Sequence, residues 1–396
     1  MTYDFETRIE RRGTACEKWD GMEKEFGYPG LLPMWVADMD FAAPPEVVDA
    51  LVARARHGVY GYTMYAEPAR RAVQDWLAMR QGWPVEADWI RFSPGVVPGL
   101  VFVVKTFTRP GDGILIQPPV YYPFAQLIER NGRRVVQNPL VLEGGRYRMD
   151  LDDLRAKARA GARVLILCSP HNPVGRVWTP DELRALARVC VEEGVLVVAD
   201  EVHGDLTYPG VRHTPYASLG VEAAERSITF TAPSKTFNLA ALQTAVVIIP
   251  EGELRRRYDA FIDEVFMIFA NAFGLAALEA AYGHGAPWLD ELRQYLAGNL
   301  ALLEEYLARE IPEIEVVRPE GTYLVWLDCR RLGMEADELA TFMRAEARVA
   351  LDDGHIFGTG GAGYERINIA CPRSMLAEAL ERIAAAVRRR LERPTA

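Results

Sequence analysis

Lysine is scarce in this sequence: Lys18, Lys24, Lys105, Lys157 and Lys235 stand against forty arginines in 396 residues. Arginine serves wherever only a surface charge is needed, so a lysine that remains calls for a chemical explanation. Cysteine is sparse too. Cys16, Cys168, Cys190, Cys329 and Cys371 are odd in number, widely spaced and without a CxxC pair. That argues against a disulfide framework or a zinc site and fits a reducing cytoplasm. Long apolar runs are missing: none approaches the roughly 18 residues that span a bilayer, and the opening MTYDFETRIERR has no apolar signal region. The expectation is a soluble, cytoplasmic protein with no membrane partner. Excess positive charge is missing as well. A formal net charge of -10 and a pI near 5.3 argue against a nucleic-acid groove. Arg388, Arg389 and Arg390 stand at the polar end of a C-terminal helical pattern and read as a solvated face. No repeat is visible at periods of about 20 to 50 residues.

What is present is the material for a large core, with 49% hydrophobic and 25% charged residues. Length predicts one large domain and a smaller one. The reading is an N-terminal segment over 1–45 packed with the small domain, a large domain over 46–285 and a small C-terminal domain over 286–396. The middle of the chain alternates short apolar runs with amphipathic stretches, which predicts parallel strands joined by crossover helices. Residues 114–117, 164–168, 195–199 and 227–231 are the clearest strands, rich in Val, Ile and Leu as suits strands covered on both faces. Between the second and third, Thr179 is placed to cap a helix, Pro180 to occupy its first turn and Glu182 to close a capping box. Trp178 and Leu183 are spaced as a hydrophobic staple, and Gly194 is placed to end the helix. Helices are expected over 272–282, 288–310 and 374–392, and a strand over 323–328. The fold class expected is α/β: a mostly parallel central sheet flanked by helices, with a smaller α+β domain.

In an open α/β sheet, ligands gather at the carboxyl ends of the strands. Three strands here lead directly into polar residues: 164–168 into SPHNPVG with Asn172, 195–199 into DEVH with Asp200 and His203, and 227–231 into APSK with Lys235. Asn, Asp and Lys therefore meet at one sheet edge. Lys235 lies in the otherwise uncharged stretch TFTAPSKTFNLAAL. A partly buried amine there loses its proton readily, and a neutral amine attacks an aldehyde. A buried ion pair with Asp200 is the competing structural explanation. Lys105 and Lys157 read as surface charges. Asp200, at the end of a buried strand, needs a partner, and a protonated pyridine nitrogen would be one. Asn172 would donate to a phenolic oxygen of the same ring. Gly95, Val96 and Val97, opening an apolar helical run, offer a helix N-terminus to a phosphate. Tyr121 is placed to stack on the ring, with a core tyrosine as the alternative. Together these residues describe a site for pyridoxal 5'-phosphate.

The same residues resemble the fold-type-I pyridoxal-phosphate enzymes of the class I/II aminotransferase superfamily along essentially the whole chain. Asn172 in NPVG, Asp200 in DEVH, Lys235 in SKTFNLAAL and Arg366 in RINIA fall in that family's order. The resemblance implies that Lys235 bonds the cofactor aldehyde and that Asp200 and Tyr121 share in catalysis with it. It also implies that Arg366 grips the substrate α-carboxylate, with Trp35 and Ala37 beside it. Several segments resemble one branch more closely, the cystathionine β-lyase type C–S lyases that include the maltose-regulon modulator. These are Lys18-Trp19-Asp20, the stretch LPMWVADMDF beginning at Leu32, Tyr60-Gly61-Tyr62, residues 200–205, and Asp353-Gly354 through Phe357-Gly358 to Cys371-Pro372-Arg373. The branch implies a homodimer in which Tyr62 reaches the phosphate of the neighbouring active site.

His203 stands where aminotransferases usually carry a tyrosine, Gln243 where they often carry a phosphate-binding arginine, and Ala232 where a serine is common. The phosphate is then left to the amides of Gly95, Val96 and Val97, to Thr231 or Ser234, and to Tyr62. The expected reaction is α,β-elimination from L-cystathionine or a related L-cysteine thioether, giving a thiol, pyruvate and ammonia. An aminotransferase is the first alternative, followed by a racemase or β-replacement enzyme. A regulatory partner protein that retains the cofactor is the alternative from another class. No metal is expected.

Overall fold

The structure is a computed structural model and describes residues 2–392. Its centre is a seven-stranded sheet of β1 (Ile90–Ser93), β2 (Gly113–Ile116), β3 (Arg134–Gln137), β4 (Val164–Cys168), β5 (Leu196–Asp200), β6 (Ser227–Thr231) and β7 (Ala245–Ile248). The spatial order is β1-β7-β6-β5-β4-β2-β3. Only β7 runs against its neighbours. Two expected strands begin one residue away from the sequence reading, so Asp200 is the last residue of β5 instead of the first beyond it. β1 and β7 carry no pattern that the sequence reading singled out.

Alternation along the strands explains why both faces are covered. Leu115, Leu165, Leu167, Val197 and Ala199 point to one side, into a cluster with Trp178, Leu183 and Leu186. Ile114, Ile116, Ile166, Val198 and Ile228 point to the other and meet Leu100, Val103 and Val104. Successive side chains of a strand face opposite ways, so an unbroken apolar run fills two cores. Each such side chain contributes about 1.5–3 kcal/mol on full burial.

Two helices frame the sheet as their sequences dictate. In α1 (Val96–Phe107), Gly99 lies against β1 and β6, where an added Cβ would stand 2.4 Å from the Phe230 ring and 2.8 Å from Ser93 Oγ. A side chain there would push the helix off the sheet. In α2 (Pro180–Glu192) the capping box forms as expected: Thr179 Oγ1 accepts from the Glu182 amide and the Glu182 carboxylate accepts from the Thr179 amide. Gly194, at φ +68°, follows the helix end by two residues.

A second sheet, order β8-β9-β11-β10, is antiparallel throughout: β8 (Glu315–Val317), β9 (Leu324–Asp328), β10 (Asp352–Asp353) and β11 (Tyr364–Asn368). It packs with the long helix α3 (Ala286–Glu310) and the closing helix α4 (Arg373–Leu391). The N-terminal stretch joins this part of the molecule, since Leu32–Pro33 pairs in parallel with Val349–Ala350. One core cluster runs from Phe5 through Trp76, Trp288 and Tyr295 to Leu324, Ile367 and Leu380.

The arginines at the end of α4 lie on the solvated face expected of them, and each finds a partner at the surface. Arg388 pairs with Glu310 of α3, Arg389 donates to the Glu346 carbonyl, and Arg390 pairs with Glu338. The like charges are thus distributed among separate neighbours. Among the described residues no helix is long and apolar enough to cross a membrane, and all five cysteines are free thiols.

Candidate active site

Register brings the polar residues together. Cys168 pairs with Asp200 across β4 and β5, and Asp200 with Phe230 across β5 and β6. The three loops that follow therefore leave the sheet at one level. β1 adds Ser93 opposite Ala245, so Gly95 and the start of α1 reach the same edge. A cavity of about 210 Å³ opens there, and Ala37, Gly95, Val96, Val97, Tyr121, Asn172, Asp200, His203, Ser234 and Lys235 line it. Gln243, Thr244 and Cys168 also line it, with Pro98, Val202 and Ala240.

Lys235 sits on the single helical turn Pro233–Thr236. The neighbouring Thr236 hydroxyl donates to Asp205 Oδ2 at 3.0 Å, which also accepts from Trp76 Nε1. That anchors the turn to the layer beneath. The Lys235 amine donates to the Ala37 carbonyl at 2.7 Å. Burial pulls it down to about 8, against the opposing pull of the Asp38 and Asp200 carboxylates. No ion pair forms with Asp200 among the described residues. Lys105 is exposed and Lys157 pairs with Asp153 one turn away, as surface lysines do.

Asp200 is 5% exposed. Its carboxylate accepts from the Val202 amide at 3.2 Å, and burial pushes it up to about 6. His203 is buried, its Nδ1 has no partner among the described residues, and desolvation lowers it to about 3. It is a neutral imidazole edge-on to Tyr323, with ring centres 5.9 Å apart. Glu201 of the same DEVH stretch turns away, taking the Tyr216 amide and His213. Tyr121 meets Phe124 edge to face, and burial raises its phenol well above the ordinary range.

Arg366, on β11, is buried behind Asn172. Its Nη1 donates to Asn172 Oδ1 at 2.9 Å and its Nη2 to the Trp35 carbonyl at 3.2 Å, while Asp352 forms its ion pair. Because Oδ1 faces the guanidinium, the Asn172 amide nitrogen is the group left to donate elsewhere. Trp35 therefore contributes its backbone here; its ring packs on Phe26 and donates to the Lys18 carbonyl. Thr231 closes β6 but does not reach the cavity wall. Tyr62 is 88% exposed, leans on Phe269 with ring centres 4.6 Å apart, and is no part of this chain's cavity.

Three contributors escaped the sequence reading. The Tyr323 hydroxyl donates to the Ala37 carbonyl at 2.9 Å. Asp352 faces Arg366. Lys18, wholly buried, pairs with Asp40 at 2.6 Å beneath the loop that carries Ala37. For Lys18 the signal was at hand, in the same scarcity of lysine that marked Lys235.

Comparison with known proteins places this geometry. The family of aminotransferase class I and II matches residues 31–383. The chain is 43% identical over 385 residues to cystathionine beta-lyase PatB of Bacillus subtilis strain 168, spanning 97% of this chain and 100% of that protein. It is 33% identical over 389 residues to protein MalY of Escherichia coli K12, spanning 98% and 99%. The crystal structure of cystalysin from Treponema denticola, which contains a pyridoxal 5'-phosphate cofactor, matches with a TM-score of 0.95 and 37% identity over 98% of this chain and 100% of that one. The chain belongs to the aminotransferase class I and II family, in the branch that holds the cystathionine β-lyases.

Proposed function

We propose that this protein is a pyridoxal-phosphate-dependent C–S β-lyase. It converts L-cystathionine, or a related L-cysteine thioether, and water into a thiol, pyruvate and ammonia. The observation that carries this reading is the 43% identity, along 97% of the chain, to a protein named cystathionine beta-lyase.

The cavity suits the cofactor. Asp200 is a buried carboxyl on its wall, pushed up to about 6 by desolvation, and a cationic ring nitrogen would draw it back down. Pyridoxal phosphate, when bound, supplies a ring that withdraws electrons from the substrate Cα. Asp200 would hold the ring nitrogen, and the Asn172 amide, oriented by Arg366, would donate to the phenolic oxygen. The free amides at the start of α1, with Ser234, take the phosphate. His203, neutral, adds no second cation beside the ring.

Lys235 would hold the cofactor aldehyde, and its amine would serve as the general base for the substrate Cα proton. Its amine is suited to this because burial brings it to about 8. Tyr121 covers the ring and closes that face to water. Arg366 holds the α-carboxylate, and the Ala37 carbonyl, already bonded to Lys235, keeps the base on the substrate side.

The active unit is a homodimer. Tyr62 at 88% and Met64 at 75% exposure flank the bridge of Thr63 to Ala270, with exposed Phe269 against Tyr62, an apolar surface of the kind a partner covers, and Tyr62 would reach the phosphate of the neighbouring site. The chain divides into an N-terminal segment, 1–45, that packs with the small domain, a large cofactor-binding domain, 46–285, and a small C-terminal domain, 286–396. Five free thiols suit a reducing cytoplasm.

Steady pyruvate release from L-cystathionine by the cofactor-loaded protein, followed with a coupled dehydrogenase, tests the reading. Lys235→Ala should abolish it. A single turnover that converts the cofactor to its amine form without pyruvate would replace the lyase by an aminotransferase.

A further inference from the structure

Arg366 and Asp352 are direct cross-strand partners, paired in register between β11 and β10. Their side chains are 3% and 6% exposed, and they form an ion pair. Register places them on the same face of the sheet at close range, so the pairing is built into the strands.

This pairing alters what the guanidinium has left to give. Nη2 serves both Asp352 and the Trp35 carbonyl, and Nη1 serves Asn172. Nε is buried and has no partner among the described residues. A carboxylate gripped by two parallel N–H groups would use the edge formed by Nε and Nη2. One nitrogen of that edge, Nη2, is already paired with an anion and also donates to a carbonyl. A second carboxylate must displace Asp352 from Nη2 or share the cation with it, in a buried setting where like charges repel strongly.

We propose that Asp352 is an internal competitor for Arg366 that sets the site's affinity for carboxylates. This rests on the reading that Arg366 receives the substrate α-carboxylate. A simple carboxylate gains little by replacing one anion with another. An amino acid, whose amine is anchored separately at the cofactor, has a second attachment and holds the site. Asp352 is thus an affinity-setting residue that keeps the hold on a lone carboxylate weak, that of the product pyruvate included.

The test measures KM and kcat for L-cystathionine and the inhibition constant of propionate, a carboxylate without an amine, on the cofactor-loaded enzyme. Asp352→Asn preserves shape and a hydrogen bond to Arg366 while removing the charge. KM and the propionate constant are both expected to fall by roughly tenfold, a shift typical of one favourable charge interaction, with kcat within about twofold of the parent. Asp352→Ser should shift both constants the same way. A merely structural disturbance would lower kcat without tightening propionate. Unchanged or weaker propionate binding in the variants overturns the proposal. So does a propionate constant in the parent enzyme at or below KM, a measurement that needs no variant. Arg366→Lys separates the underlying reading: if it leaves both constants unchanged, Arg366 is not the carboxylate site, whatever Asp352 does.

Discussion

The amine of Lys235 donates to the carbonyl of Ala37 at 2.7 Å, across 198 residues of sequence. The N-terminal stretch thus touches the lysine proposed to hold the cofactor. The Ala37 loop is held in turn from below: Asn368 Nδ2 donates to the carbonyls of Val36 and Asp38, and Asn238 Nδ2 to those of Met39 and Phe41.

The first prediction concerns this buried support. Burial works against the Lys18 charge, but Asp40 and Asp38 together hold its amine above the ordinary value. Lys18→Met would leave the Asp40 carboxylate with Arg11 and the Trp19 indole on Oδ1 but no partner among the described residues on Oδ2, so the loss should fall at or below the cost of about 3–5 kcal/mol for a buried pair broken outright. Urea denaturation should show that loss. Lys18→Met combined with Asp40→Leu should cost less than the sum of the two single changes, because neither charge is left alone.

Asp200 should trade stability for function. Its folded value, about 6, lies above its ordinary 3.8, so between these pH values the folded chain holds more protons than the unfolded one. Its contribution to stability therefore falls as pH rises from 3.8 through 6 and stays low above that. Asp200→Asn is expected to raise the melting temperature of the cofactor-free protein at pH 7.5 while removing activity. A lower melting temperature would contradict the desolvation argument. For Lys235, depressed from 10.5 to about 8, the unfolded chain holds the extra proton in that window. Its contribution rises with pH from 8 to 10.5.

Two histidines should govern the acid limb. Desolvation lowers His171 to about 4 and His203 to about 3, both from 6.5. Below pH 6.5 the unfolded chain takes up protons that the folded chain refuses, so stability is lost as pH falls from 6.5 toward 4. His171 gives its Nε2 to the Pro119 carbonyl at 3.0 Å as a neutral ring. Chemical denaturation across pH 4–7 should show a shallower slope for His203→Asn than for the parent.

The dimer reading makes a prediction of its own. If Tyr62 serves the neighbouring site, then Tyr62→Ala and Lys235→Ala subunits, each weak or inactive alone, should regain pyruvate release when mixed and allowed to exchange. One site of the hybrid would hold both intact residues. No recovery in hybrids verified by differential tags would rule the arrangement out.

Sequence alone determined which polar residues gather at the sheet edge. The scarcity of lysine singled out Lys235, and the apolar runs before Asn172, Asp200 and Lys235 gave both the strands and the edge where these residues meet, because a strand covered on both faces has a local signature. The capping box at Thr179 and Glu182 was legible for the same reason: its hydrogen bonds lie within four residues. Tertiary structure decided what depends on partners distant in the chain. Lys18 became a buried counter-ion only because Asp40 folds over it, and Asp352 met Arg366 only through strand register. Trp35 turned out to act through its carbonyl, and the arginines at 388–390 found separate partners on other elements. Charge, burial and register are properties of neighbours in space, and a linear pattern records only neighbours in sequence.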